Sequence, residues 1–359
     1  SGKDHHPNFS MGRNEIVMND TFRIDSTKIQ FHPKRVSEWM EKKDDWETAK
    51  ELYPLYIEIA PIGACNHRCT FCAVDYIGYR AVQLDSELLI GRMLEMSDLG
   101  VKSIMLAGEG EPLLHKMMNK IVIWTAKNVD IALTTNGVLL NKFAPIELCK
   151  WIKVSVNAGT RETYAKVHRT KEEDFDKVIE NIRQAVHRKG NCTIGIQMVL
   201  LPENQHEVAQ IKAIGEDLGV DYVVIKPYSQ HKYSLTHEYE NFKPEIPEAV
   251  GKLVVRADSL KTEAIGYEKC LSTPYWWAYV MASGEVYSCS AYLLDPRFRL
   301  GNIKTDTFKS VWQSKLRREN WEFVRNTLDI HECRLNCRMN ASNIHLDQLV
   351  NGIPHANFI

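Results

Sequence analysis

The sequence predicts an α/β protein, a partial (β/α)6 TIM-like barrel followed by a small α+β domain. Three observations lead there. Short β-type runs alternate with helical stretches six times between residues 53 and 240. Polar residues gather at the C-terminal ends of those runs, where the active sites of such barrels collect. From about residue 240 the rhythm changes, and four of the nine cysteines fall in that tail.

The barrel elements follow in order. YIEIA (56–60) is the first strand; a cysteine-bearing loop and the helical stretch SELLIGRMLEMSDLG come after it. VKSIMLAG (101–108) precedes a helix through MMNKIVIWTAKN, and DIALTTNG (130–137) precedes a helix ending near Lys150. WIKVSVNAG (151–159) leads to the helix of FDKVIENIRQAVHRKG, TIGIQMVL (193–200) leads to EVAQIKAIGEDLG, and DYVVIKPY (221–228) closes the series. Such alternation with short connections implies a parallel sheet with right-handed crossovers, and the polar strand ends favour a barrel over a doubly wound sheet.

Residues 1–52 read as an extension packing on the barrel, with FRIDSTKIQFHPKRVSEWMEKK supplying a short strand or hairpin and one helix. Residues 53–240 form the barrel and 241–359 the tail domain. In the tail, PEAVGKLVVRADSLKTEAI reads as a linker helix, WWAYVMASGEVYSCSAY as a hairpin turning at Ser283-Gly284, and FKSVWQSKLRRENWEFVRN as an amphipathic helix. The Trp276-Trp277 pair reads as hairpin core.

The composition is that of a soluble globular protein, 44% hydrophobic and 25% charged over 359 residues. A net charge of −1 gives no strong pull toward nucleic acid or a membrane. No apolar run reaches membrane-spanning length and no signal segment is visible, so a cytoplasmic location is expected. Thiols stay reduced there, and clustered cysteines usually bind metal.

CNHRCTFC (65–72) places Cys65, Cys69 and Cys72 in the loop after the first strand. Three thiolates on a 4Fe–4S cube leave one iron without a protein ligand, and an open metal position is what a catalytic site keeps. A zinc site completed by His67 is the alternative. This C-x3-C-x2-C arrangement after the first strand of a partial barrel resembles the radical S-adenosylmethionine (radical SAM) superfamily. The resemblance covers roughly residues 50–230 and implies a SAM-binding 4Fe–4S cluster on those three cysteines, with Phe71 as an aromatic edge beside it.

Further stretches resemble the family's SAM-binding segments. AGEGEP (107–112) is similar to its Gly-Gly-Glu-Pro segment, which makes Gly108, Glu109, Gly110 and Glu111 candidates to hold the SAM amino group, although a plain turn would also use Gly and Pro here. TTNG offers Asn136 to the ribose or the methionine part. VSVN puts Ser155 and Asn157 on one strand face with Lys153, where polar groups need a partner such as a bound nucleoside or a neighbour in the barrel mouth. Arg169 stands where family members often place an arginine near the SAM carboxylate. Gln197 and Lys226 end the fifth and sixth strands and are candidates for SAM or substrate contact. His115 and His168 read as surface or loop histidines.

In the tail, Cys270, Gly284 before Cys289, and the pair Cys333/Cys337 resemble the twitch form of the SPASM auxiliary-cluster domain. The resemblance implies an auxiliary 4Fe–4S cluster with four cysteine ligands; a structural zinc is the alternative. A flavodoxin- or ferredoxin-type reductant is implied as partner. Twitch-type relatives imply a carbohydrate- or cyclitol-like substrate. Cys149 and Cys192, the two cysteines outside the clusters, lie away from the barrel mouth, so a thiol hydrogen donor is not expected there. The expected outcome is therefore a two-electron oxidation of an alcohol carbon by an oxidoreductase. Sugar epimerisation and peptide maturation are the alternative enzyme readings, and a non-enzymatic electron carrier is a third class.

Overall fold

The computed structural model describes residues 21–23, 27–256 and 265–358. Its centre is a ten-stranded sheet in the order β10-β9-β8-β1-β2-β3-β4-β5-β6-β7. The strands are β1 (Tyr56–Ile59), β2 (Ser103–Leu106), β3 (Asp130–Thr135), β4 (Trp151–Ser155), β5 (Thr193–Leu200), β6 (Tyr222–Pro227), β7 (Leu253–Val255), β8 (Trp277–Val280), β9 (Glu285–Tyr287) and β10 (Arg299–Asn302). Strands β1 to β7 pair in parallel with their sequence neighbours. The six expected barrel strands are therefore present in the expected order. Strand β8 pairs in parallel with β1, so the tail hairpin continues the barrel sheet.

Alternation along each strand separates two environments. Ile57, Ile59, Ile104, Leu106, Ile131, Leu133, Ile152 and Val154 belong to one continuous apolar core beneath the helices. The intervening residues Glu58, Met105, Thr134, Lys153 and Ser155 line a central cavity instead. This period of two, on strands buried on both faces, is what makes the barrel a container.

The helices that close the outer layer begin on explicit signals. Helix α1 (Pro33–Lys42) has proline in its first turn, where the missing N–H costs nothing. Helix α2 (Trp46–Ala49) follows and packs with α1 against Tyr275 and Trp276 of the tail. Helix α3 (Ser86–Asp98) is capped by the Asp85 carboxylate, which accepts from Glu87 N and Leu88 N at 3.0 Å, and it buries Leu89, Ile90, Met93 and Met96 on one face. Each such side chain contributes about 1.5–3 kcal/mol of transfer free energy. Helices α4 (Met118–Thr125), α5 (Arg161–His168), α6 (Glu173–Arg188) and α7 (Val208–Leu218) complete the barrel's outer layer; Thr160 caps α5.

Four local expectations need correction. The connection after β3 is not a helix but two 3₁₀ turns, Leu140–Lys142 and Ile146–Leu148, because Pro145 interrupts the stretch. Residues 253–255 are strand β7, not the start of a linker helix; the β-branched Val254 and Val255 pair with β6, and residues 257–264 of that reading lie outside the described residues. The 308–326 stretch is two helices, α8 (Phe308–Trp312) and α9 (Lys315–Asn326), because Ser314 caps a new start. In the N-terminal extension, the described residues show a 3₁₀ turn, Lys28–Phe31, ahead of α1 in place of a strand; residues 24–26 lie outside the described residues. The hairpin turn at Ser283-Gly284 is as expected, with Gly284 at φ +90° where L residues are strained.

Arg317 in α9 ties segments of the tail together. It is buried, donates to Trp312 O at 3.0 Å and Pro274 O at 2.8 Å, and lies 4.1 Å from the Trp312 ring centroid. Burial lowers its pKa to about 9. An Arg317→Met variant leaves two buried carbonyls unpaired and is expected to lose about 2 kcal/mol of unfolding free energy, read by denaturant titration.

Candidate active site

The cysteine loop is held by contacts to the end of α5 and to the segments after β2 and β3. Backbone bonds Arg68 N to His168 O (3.1 Å) and Thr70 N to Val167 O (2.9 Å) dock it on the end of α5. The Arg68 guanidinium donates to Cys65 O and His67 O at 2.7 Å and lies over the Tyr79 ring. Asn136 Nδ2, at the end of β3, donates to Asn66 Oδ1 at 2.7 Å. Glu111 N donates to Ala64 O at 2.9 Å. The loop also lies directly on Gly110, where an added Cβ would come within 2.4 Å of Ala64 O and Ile62 O. A Gly110→Ala variant is expected to push the loop out of place and cut bound iron by about four atoms per chain after reconstitution, measured by iron assay.

Cys65, Cys69 and Cys72 all line one cavity of about 420 Å³. Cys270, Cys289, Cys333 and Cys337 line the same cavity from the tail domain. Burial pushes the Cys65 thiol up to about 11 and Cys69 and Cys289 well above the ordinary thiol value; neighbouring cysteines push in the same direction. Binding metal must remove those protons. Tyr292 OH donates to Cys333 Sγ at 3.3 Å, and Asn343 Nδ2 to Cys270 Sγ at 3.7 Å.

The donor geometry discriminates between a single ion and a cluster. Around one tetrahedral zinc, thiolate sulfurs stand about 3.8 Å apart. Among the described residues, no three cysteine sulfurs lie within 4.8 Å of one another; the one close set is His67, Cys69 and His168. In that set His168 Nδ1 is already 3.1 Å from Cys69 Sγ, and its Nε2 is 3.0 Å from Val156 O. Burial lowers His67 to about 4 and His168 to about 3, so both rings are neutral near pH 7. Among the described residues, no set of three cysteines has the spacing of a single zinc ion.

Most of the other candidates converge on this cavity. Phe71, Gly108, Gly110, Glu111, Asn136, Ser155, Asn157 and Gln197 line it. The two acids separate. Glu109 does not line it: its Oε1 accepts from Ala282 N at 2.6 Å and ties β2 to the tail hairpin. Glu111 lines it, but its carboxylate accepts from Thr135 Oγ1, Asn136 N and Leu113 N at 2.6–3.1 Å, which braces the end of β3. Asn157, at φ +56°, accepts from Val199 N at 2.9 Å.

Arg169 is corrected. It ends α5 in a left-handed conformation at φ +49° and is exposed, whereas His168 turns inward beside Cys69. The surface reading of His168 is therefore also wrong, as is that of His115, which is buried and bonded to Leu84 O at 2.8 Å. Cys149 and Cys192 are buried in the apolar core, away from the cavity. Trp276 packs with Trp39, while Trp277 also reaches the cavity wall. Sequence reasoning missed Glu58, Arg334 and Arg338. Glu58 forms an ion pair with Arg338 inside the cavity. Alternation in YIEIA and the arginines beside Cys333 and Cys337 were the available signals.

Comparison with known proteins agrees with this geometry. A model of the radical SAM superfamily matches residues 59–213, and a model of the SPASM iron–sulfur cluster-binding domain matches residues 270–338. The chain belongs to the radical SAM superfamily. Its two domains carry with them a SAM-binding 4Fe–4S cluster and an auxiliary cluster. It is similar to the probable GTP 3′,8-cyclase of Metallosphaera sedula, 30% identical over 202 residues, covering 54% of this chain and 62% of that protein. It is also similar to the GTP 3′,8-cyclase of Trichodesmium erythraeum, 30% identical over 192 residues, 49% of this chain and 58% of that protein. The chain thus spans about three fifths of the length of these curated relatives. Among solved structures, Streptococcus suis SuiB bound to S-adenosylmethionine matches with a TM-score of 0.59 at 15% identity, over 86% of this chain and 76% of that one. That likeness shows the fold alone.

These relatives overturn the expected outcome. Proteins named GTP 3′,8-cyclase close a ring on GTP, so the reading of an oxidoreductase that oxidises an alcohol carbon of a carbohydrate or cyclitol is corrected. That reading rested on a cysteine tally and on analogy, not on the cavity's own charged residues. No helix among the described residues is long and apolar enough to cross a membrane.

His231 gives the cavity wall a measurable pH response. Burial, then the charge of Arg334, lowers it to about 4. The unfolded chain takes up the proton first, so this contribution to stability is full above about pH 6.5 and is lost as pH drops toward 4. Replacing it, His231→Gln, is expected to flatten that part of the stability profile.

Proposed function

We propose that this radical SAM enzyme takes a hydrogen atom from a purine nucleotide held between its two clusters and closes a ring on it. The observation that carries the reading is the single cavity lined by both cysteine sets, with Lys153, Lys226, Arg334 and Arg338 in its wall. A nucleotide's charge suits that wall, and GTP is the substrate in the names of the curated relatives. In this reading Cys65, Cys69 and Cys72 hold the SAM cluster, and Cys270, Cys289, Cys333 and Cys337 hold the auxiliary one. When bound, the first cluster and SAM supply a 5′-deoxyadenosyl radical.

The chain's own residues supply position and dryness. Glu111 and Asn136 fix the cysteine loop against β3. Phe71 and His168, with ring centroids 5.8 Å apart, cover it on one side. Met105, Trp277 and Tyr279 give the cavity apolar wall, which excludes water from a reactive radical. The domain division follows for the described residues: those of the 1–52 extension from residue 27 onward brace the barrel, 53–240 bind SAM, and those of the 241–359 tail close the cavity with the auxiliary cluster. A flavodoxin- or ferredoxin-type protein is the proposed electron donor.

The test incubates reconstituted protein with SAM, dithionite and GTP. GTP-dependent 5′-deoxyadenosine is expected, with a new nucleotide of unchanged mass, because the hydrogen atom lost is made good when the ring-closed radical takes one electron from the reductant and one proton from water. If 5′-deoxyadenosine forms at the same rate with and without GTP and no new nucleotide accumulates, the nucleotide reading falls.

A further inference from the structure

We infer that Arg334 and Ser229 form a binding site for a phosphoryl oxyanion of the substrate, at the seam between β6 and the auxiliary-cluster segment. The inference rests on the reading of the cavity as a substrate site and names the group that the site grips. Arg334 lies between Cys333 and Cys337, and Ser229 lies two residues beyond the end of β6. Both line the cavity. Arg334 uses one Nη to hold Ser229 O at 3.1 Å, which joins the two segments. Its Nε is buried and without a hydrogen-bond partner among the described residues, and so is Ser229 Oγ.

Two buried donors left open on adjacent segments are costly unless a ligand accepts from them. A guanidinium is always charged and presents its N–H groups as a fork that fits a tetrahedral oxyanion. Arg338 is close enough to oppose the charge on Arg334, and its Glu58 partner offsets only one of the two. Lys153 and Lys226 line the same wall, and cationic side chains beside an open guanidinium suit a multiply charged phosphoryl group better than a single carboxylate.

The competing role for Arg334 is to neutralise the auxiliary cluster next to it, and the experiment separates the two. Inorganic tripolyphosphate is titrated by calorimetry into the reconstituted, SAM-bound holoenzyme and into Arg334→Gln, Arg334→Lys and Ser229→Ala, with iron content and auxiliary-cluster potential measured for each. Wild type is expected to bind with an affinity that falls with added salt. Arg334→Gln is expected to weaken binding about tenfold or more and Arg334→Lys less, as loss of a bidentate charged donor predicts. Ser229→Ala is expected to weaken it about threefold with both clusters intact, and it decides the matter if Arg334→Gln loses iron. Unchanged affinity in Ser229→Ala and in an iron-replete Arg334→Gln overturns the inference, and so does a shifted cluster potential with unchanged affinity. Equal competition by succinate overturns the phosphoryl assignment. Tripolyphosphate binding without GTP binding keeps the anion site and removes the nucleotide reading.

Discussion

Replacing Cys65, Cys69 and Cys72 together with alanine is expected to abolish SAM cleavage, with 5′-deoxyadenosine falling below about one-thousandth of wild type. The physical reason is that these thiols, carried on one loop after β1, are the proposed anchors of the cluster that delivers the electron. They line the cavity together and are spaced too widely for one metal ion. The loop itself is held by Arg68, Asn136 and the backbone of α5, so the triple variant should keep its fold. Unfolding measured alongside activity separates loss of the cluster from loss of the barrel. A reconstituted triple variant that still makes 5′-deoxyadenosine would remove the assignment.

The second large effect belongs to the tail. A Cys289→Ala variant is expected to fall from about eight to about four irons per chain and still cleave SAM. Formation of the nucleotide product should drop at least tenfold, because the cavity loses the wall that the auxiliary cluster organises. Cys289 is enclosed with Cys270, Cys333 and Cys337, and Asn343 ties Cys270 to the backbone at Leu271 and Ser272. A variant that keeps eight irons would place the fourth ligand elsewhere. One zinc beside four irons in the wild type would restore the structural-zinc alternative.

The barrel was legible because its signal is local and repeated. Ile57 and Ile59 face the helices while Glu58 faces inward, and the same alternation recurs on β2 to β5. The cysteine spacings were legible for the same reason, since three ligands lie within eight residues. What escaped is non-local. Strand β7 looked helical because its pairing partner lies some thirty residues upstream, on β6. His168 reads from the sequence as a surface or loop residue because its neighbour Cys69 is 99 positions away in the chain. Arg169, one residue later, drew attention that its left-handed backbone turns outward. Glu109 and Glu111 look equivalent in AGEGEP, yet one bonds the tail hairpin and the other braces β3. Arg338 meets Glu58 across 280 positions, a contact that no motif announces.

The substrate expectation failed for a related reason. Counting cysteines says what clusters can form, but the substrate is chosen by the charges between them. Lys153 and Lys226 stand out on strands of the barrel pattern, whereas Arg334 and Arg338 lie within and just after a cysteine pair whose spacing speaks only of metal.

The central claim is that two clusters share one cavity and that only the three-cysteine cluster takes SAM. Electron paramagnetic resonance of the dithionite-reduced holoenzyme, recorded with and without SAM, tests it directly. Two reduced-cluster signals are expected, with SAM shifting one of them and leaving the other unchanged, and the shifted signal absent in the Cys65/Cys69/Cys72 triple alanine variant. A SAM-induced shift that survives in that variant, or that is lost in Cys289→Ala while all eight irons remain, would contradict the account.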